Sequence, residues 1–178
     1  KFCEREELTL TTILLTHHHH DHNGGVKELQ KLWPNVVVYD NQSPATTFAS
    51  HRIETIATPG HMKDTVCFYL PDEKLLFTGD TLFAGGCGRC FSGDFNAFYD
   101  SLTKLASLPA DVLCYGAHEY LTDNVAFIQS LGKVTDFYDR RLATKAYPSL
   151  GITIGEELLH NPFLAIGKSG TADDYKKL

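Results

Sequence analysis

No apolar run in this 178-residue sequence approaches the ~20 residues a membrane-spanning helix needs, so a soluble chain with no membrane partner is expected. Basic residues are in the minority. Sixteen Lys and Arg face 22 Asp and Glu, a formal net charge of −6, which argues against a nucleic-acid surface. A small anionic substrate, which asks only for a local basic patch, is not excluded. Cysteines are few and odd in number, Cys3, Cys67, Cys87, Cys90 and Cys114. They lack the spacing of a disulfide framework and point to a reducing compartment. Cys87-Gly88-Arg89-Cys90 has redox-motif spacing, but a glycine-rich loop is a poor match to the helix N-terminus such thiols exploit. No repeat, linker or low-complexity segment divides the chain, and no signal peptide is visible. The chain begins inside what reads as a polar helix end, Glu4 to Glu7, so any such signal is expected ahead of it.

What the sequence has in excess is histidine, concentrated in one place. Thr16 to Gly25 reads T-H-H-H-H-D-H-N-G-G, directly after the apolar run Ile13, Leu14, Leu15. That run reads as a short buried strand. Gly24 and Gly25 break it, and Val26, Leu29, Leu32 and Trp33 then recur at helical spacing. The imidazoles are therefore expected on the loop between a strand's carboxyl end and a helix, where open α/β sheets build sites. Neutral imidazole is the commonest side-chain ligand for Zn and its neighbours, and a carboxylate adds a hard oxygen. In an extended segment His17, His19 and Asp21 point one way and His18, His20 and His22 the other. A turn after Asp21 would bring His22 back to the same cavity. H-x-H-x-D-H thus offers two ligands to one metal and two to its neighbour. The bland alternatives are a purification-tag remnant and a solvated His-rich loop; the rest of the chain decides between them.

Further polar groups recur at the ends of expected strands. Val36 to Tyr39 is an apolar strand between Pro34-Asn35 and Asp40 to Pro44. Ile53 to Thr58 ends on Pro59-Gly60-His61; Val66 to Leu70 and Leu75 to Thr78 form a hairpin ending on Gly79-Asp80; Val112 to Tyr115 is followed by Gly116-Ala117-His118. Thr81 to Gly93 reads as a glycine-rich loop. Phe95, Phe98, Leu102, Leu105 and Leu108 mark an amphipathic helix stopped by Pro109. Asn124 to about Lys145 reads as helical, Asn161-Pro162-Phe163 as a loop, and Ala172 to Leu178 as helical. One α/β domain with a helical C-terminal extension is the economical reading. Four strand ends bearing metal-competent groups make the solvated-loop alternative improbable.

T-H-x-H-x-D-H at Thr16 to His22, T-P-G-H at Thr58 to His61, T-G-D-T-L-F at Thr78 to Phe83, G-C-G-R at Gly86 to Arg89 and H-E-Y at His118 to Tyr120 together resemble glyoxalase II. These hydroxyacylglutathione hydrolases belong to the metallo-β-lactamase superfamily. H-x-H-x-D-H alone points only to the superfamily; the loop Gly79 to Gly93 and the run from His118 to Asn124 point to this family. The resemblance implies a metallo-β-lactamase-type αββα sandwich over 1–122, with its N-terminal strands missing, and a helical substrate-binding part over 123–178. It further implies a first divalent metal on His17, His19 and His61 and a second on Asp21, His22 and His118, with Asp80 bridging. Zn is the first choice, and Fe or Mn suits the same donors. His18, His20, His51 and His160 are left as non-ligands.

Two cations sharing a carboxylate would bring the pKa of a water between them toward ~7 and stabilise the oxyanion as the thioester is attacked. Asp21 would orient that water. The leaving thiol, with a pKa near ~8.5, needs no strong general acid. By the same resemblance Arg89, Phe91 and Tyr120 hold the glutathione moiety, with Phe91 standing where tyrosine is common. The sequence departs from the family elsewhere. Asp64-Thr65 stands where Gly-His is usual, Asp40 to Arg52 is short, and the basic residues that grip the glutathione carboxylates would fall at or past Leu178. The implied activity is hydrolysis of S-D-lactoylglutathione to glutathione and D-lactate by a cytoplasmic or mitochondrial monomer. The alternatives are a persulfide dioxygenase of the superfamily, with one iron on two histidines and a carboxylate, and a metal-binding fragment without activity.

Overall fold

The strand Val66–Leu70 is buried on both faces and sets the layers. Cys67 and Tyr69 face a core shared with helix residues Phe98, Leu102 and Leu105. Val66 and Phe68 face a second core, where Leu14 and Tyr39 pack against them. In the computed structural model residues 2–43 and 51–178 are described in full and 46–48 by backbone alone. The short segment Asp40 to Arg52 falls partly outside the described residues.

The elements run α1 (Phe2–Arg5), β1 (Thr12–Leu14), α2 (His20–Asn23), α3 (Val26–Leu32), β2 (Val37–Tyr39), β3 (Thr46–Phe48), β4 (His51–Ala57), β5 (Val66–Leu70) and β6 (Leu75–Gly79). There follow β7 (Leu82–Phe83), β8 (Gly86–Cys87), α4 (Phe95–Ala106), β9 (Leu113–Gly116), α5 (Leu121–Ser130), α6 (Asp136–Thr144), β10 (Ile152–Thr153), α7 (Ile154–His160), α8 (Pro162–Ser169) and α9 (Ala172–Tyr175). The main sheet has the order β10-β9-β6-β5-β4-β3, and β1 pairs with β2 in parallel as a small second sheet on its other face. Asp94 caps α4 by accepting from the Ala97 N–H at 2.9 Å. Phe98, Leu102 and Leu105 of that helix are completely buried, each stabilising the fold by roughly 1.5–3 kcal/mol. No helix among the described residues is long and apolar enough to cross a membrane.

Four expectations are corrected. The helix expected over Asn124 to Lys145 is two helices, because Gly132 takes a left-handed φ of +69° after α5 and ends it. Thr135 then starts α6, donating its hydroxyl to Asp139 at 2.7 Å. Asn161-Pro162-Phe163 is no free loop: Asn161 is the N-cap of α8, with Pro162 opening the helix. The glycine-rich loop contains the small β7–β8 hairpin. Helix α9 closes at Tyr175, short of Leu178. The C-terminal residues also supply an edge strand, since Ile152 pairs with Cys114 in the main sheet.

Candidate metal centre

Strand direction alone brings the donors to one end of the sheet. Strand β6 runs parallel to β9, so Asp80 and His118, just past their carboxyl ends, emerge side by side. Strand β4 is antiparallel to β5 and β5 to β6, so β4 shares the direction of β6 and delivers His61 to the same end. The histidine-rich loop is tied in by the Val66 N–H, which donates to the Thr16 carbonyl at 2.9 Å. Gly79, at φ +50°, lets Thr16 approach: a Cβ there would lie 2.6 Å from the Thr16 hydroxyl.

The seven residues expected as ligands converge in two groups, His17, His19, His61 and Asp80, and Asp21, His22 and His118. Within each, one donor atom per residue lies within 4.8 Å of the others. The expected parity holds only through His19. The one-turn helix α2 begins at His20 and carries Asp21 and His22 together toward Asp80 and His118, so Asp21 parts from His17 and His19. Asp80 stands between the groups with its two oxygens divided. Oδ2 faces His61 Nε2 at 3.5 Å, while Oδ1 faces His22 Nε2 at 3.3 Å and His118 Nε2 at 3.4 Å.

These donors fit divalent cations. His22 Nε2 and Asp80 Oδ1 are buried without a hydrogen-bond partner, a costly arrangement for polar atoms. His19 Nδ1 faces His17 Nε2 at 3.1 Å and His61 Nε2 at 3.0 Å, so lone pairs converge on one point. Burial, with the neighbouring His22, His61 and His19, pushes His17 down to about 3. Burial also lowers His61, despite Asp80 and the Arg89 carbonyl. Neutral imidazole is the form that binds metal. The outer ring nitrogen of His61 donates to the Arg89 carbonyl at 2.9 Å, fixing the ring.

The expected substrate groups lie around this centre. Arg89 lies over the Phe91 ring at 5.5 Å, and that ring stands 5.3 Å from His61 and 5.6 Å from His19. Tyr120 stacks on His118 at 5.0 Å. The remaining histidines stay outside: His18 faces Asp64 at 3.8 Å, His51 pairs with Glu73, His160 stacks on Phe137 at 4.4 Å, and His20 is exposed at the start of α2. All five cysteines are free, and burial raises the Cys87 thiol to about 12, away from the reactive range of a redox pair.

Sequence reading missed the frame behind the site. Glu157 is buried and accepts from the Gly85 N–H at 3.1 Å, from Asn161 at 2.7 Å and from the Tyr138 hydroxyl at 3.3 Å. Asn161 also donates to the carbonyls of Phe83 and Gly86 at 3.2 and 3.0 Å. Helices α7 and α8 thereby hold the hairpin that leads to Gly88 and Arg89. Asn161-Pro162 carries the signal of a capped helix start, which could have located this frame.

The sheet, the two donor groups and a profile match over residues 4–42 and 40–118 define a protein of the metallo-β-lactamase superfamily. The chain is 41% identical to the hydroxyacylglutathione hydrolase of Chromohalobacter salexigens, over 96% of its own length and 74% of that protein. Against the hydroxyacylglutathione hydrolase of Pseudoalteromonas translucida the figures are 40%, 92% and 70%. The chain belongs to the hydroxyacylglutathione hydrolase, or glyoxalase II, family. The crystal structure of ETHE1 from Myxococcus xanthus is similar at TM-score 0.69 and 27% identity, over 98% of this chain and 70% of that one.

Proposed function

We propose that the protein is a metal-dependent thioesterase that converts S-(2-hydroxyacyl)glutathione, S-D-lactoylglutathione foremost, to glutathione and a 2-hydroxy acid. The observation that carries this reading is the division of the Asp80 carboxylate between two donor groups. The relatives' shared name supplies the substrate class. His17, His19 and His61 would hold one divalent ion and Asp21, His22 and His118 the other, Zn before Fe or Mn, with Asp80 shared. The ions would acidify water and polarise the thioester carbonyl.

The protein's own groups do the rest. Asp21 is exposed at the rim of its donor group and orients the attacking water. The Arg89 guanidinium holds the anionic thiol carrier, and the Phe91 ring beneath it forms an apolar floor. The Tyr120 phenol, exposed beside His118, offers a hydrogen bond to the peptide part. Thiolate departs without a dedicated acid because thiols are acidic enough to leave near neutral pH. A single-iron persulfide dioxygenase, with two histidines and one carboxylate on its metal, would leave four of these seven donors without a role. The protein is taken to act as a cytoplasmic monomer.

The test is S-lactoylglutathione hydrolysis by purified protein before chelation, after it, and after metal is restored, with metal content measured alongside. A rate that vanishes with chelator and returns with Zn, Fe or Mn supports the reading. No turnover from folded protein carrying two metals overturns it.

A further inference from the structure

A recess of about 290 Å³ opens beside the first donor group. His19 and His61 form its inner wall, Met62 and Phe91 give it an apolar lining, and its charged residues are Lys63 and Asp64. These two directly follow His61-Met62, and Asp64 opens the Asp64-Thr65 pair at which the sequence departs from the family pattern. The Asp64 carboxylate faces His18 Nε2 at 3.8 Å, a charge pair only when that imidazole is protonated. Lys63 is exposed and, among the described residues, makes no ion pair or side-chain hydrogen bond. Lys63 therefore presents an unpaired ammonium in the recess close to the donor groups, with the Asp64 carboxylate beside it in sequence.

A second, larger cavity of about 660 Å³ contains Arg89 with Phe127, Phe163, Tyr175 and Lys176. With a thioester carbonyl at the donor groups, the larger cavity suits the tripeptide thiol and the smaller recess the acyl chain. We propose that Lys63 determines acyl specificity, selecting acyl groups that end in a carboxylate, the half-thioesters of short dicarboxylic acids, over neutral ones of equal length. This inference rests on the thioesterase reading and adds to it the acyl class. The mechanism is charge pairing at the recess, with Met62 covering the methylenes between the carbonyl and the terminal carboxylate.

An exposed ion pair of this kind changes affinity about threefold to fivefold. The probes are two thioethers that cannot be hydrolysed, S-(4-carboxybutyl)glutathione and S-pentylglutathione, which differ at the chain end. Their binding to metal-loaded protein is measured by calorimetry for wild type, Lys63→Met and Lys63→Glu, with S-lactoylglutathione turnover followed in parallel. The ratio of the two affinities is expected to shift about threefold to fivefold toward the pentyl compound in Lys63→Met and further in Lys63→Glu, and the wild-type bias should shrink in high salt. A ratio unmoved in both variants, with lactoylglutathione still hydrolysed, overturns the proposal and leaves the thioesterase reading standing. Equal weakening of both thioethers also overturns it, since Lys63 would then serve the thiol carrier. Failure of wild type to hydrolyse lactoylglutathione or bind either thioether defeats the thioesterase reading and this inference with it.

Discussion

A methyl group on Gly88 would stand 1.8 Å from the carbonyl oxygen of Asp80 and 3.1 Å from His61 Nδ1. The backbone of the G-C-G-R segment is thus pressed against the residue shared by both donor groups. Gly88→Ala must push Asp80 or the loop aside, and backbone yields less readily than a flexible side chain. Overpacking of this kind costs about 1–3 kcal/mol, and a displaced donor can cost activity on the order of 100-fold. Metal analysis and thermal melting of the variant check this together. Full metal content with an unchanged rate would show that the contact is relieved elsewhere.

Arg89 is expected to act on substrate affinity. Its side chain lies over Phe91, while its backbone carbonyl anchors His61, and only the first is lost in Arg89→Ala. Removal of a charged hydrogen-bond donor should raise KM for S-lactoylglutathione about tenfold. The value of kcat should move much less, because the carbonyl that orients His61 remains. Steady-state kinetics separates the two, and a fall confined to kcat would contradict the assignment.

Burial, against the hydrogen bonds from Asn161, Gly85 and Tyr138, raises Glu157 to about 7 from an ordinary 4.5. A carboxyl whose folded pKa is raised contributes its stability below pH 4.5. That contribution is lost progressively as pH climbs from about 4.5 to about 7. Glu157→Gln keeps the shape and cannot titrate. Denaturant unfolding of chelated wild type and variant at pH 5 and pH 7.5 should therefore show wild type losing ground as pH rises, by roughly 3 kcal/mol at most. A difference independent of pH would mean that Glu157 titrates normally.

The donors were legible because each lies just past an apolar run, and strand ends on one side of a sheet must meet. His61, Asp80 and His118 needed no more than that. Asp21 was harder: parity assumes an extended chain, and the single turn of α2 rotates it away from His17 and toward His118. The break at Gly132 was hidden because Leu131 and Val134 continue an apolar period across it. Glu157 was invisible for another reason. In I-G-E-E-L-L it looks like a solvent-facing residue of an amphipathic helix, and only the hairpin folded over it, three-dimensional information, makes it the buried acceptor of Gly85.

Phe91 offers a test in the direction of gain. The residue is 59% exposed, and its ring packs near His19 and His61 with the Arg89 guanidinium over it. Phe91→Tyr adds a hydroxyl to an exposed ring without disturbing buried packing, so folding stability should change by no more than ~0.5 kcal/mol. In the thioesterase reading that hydroxyl meets the peptide part of the thiol carrier. One added neutral hydrogen bond contributes about 1 kcal/mol, so KM for S-lactoylglutathione should fall about fivefold while kcat changes less. An unchanged KM would mean that the thiol carrier does not pass over this ring, and would shift the binding path toward Tyr120 on the His118 side of the centre.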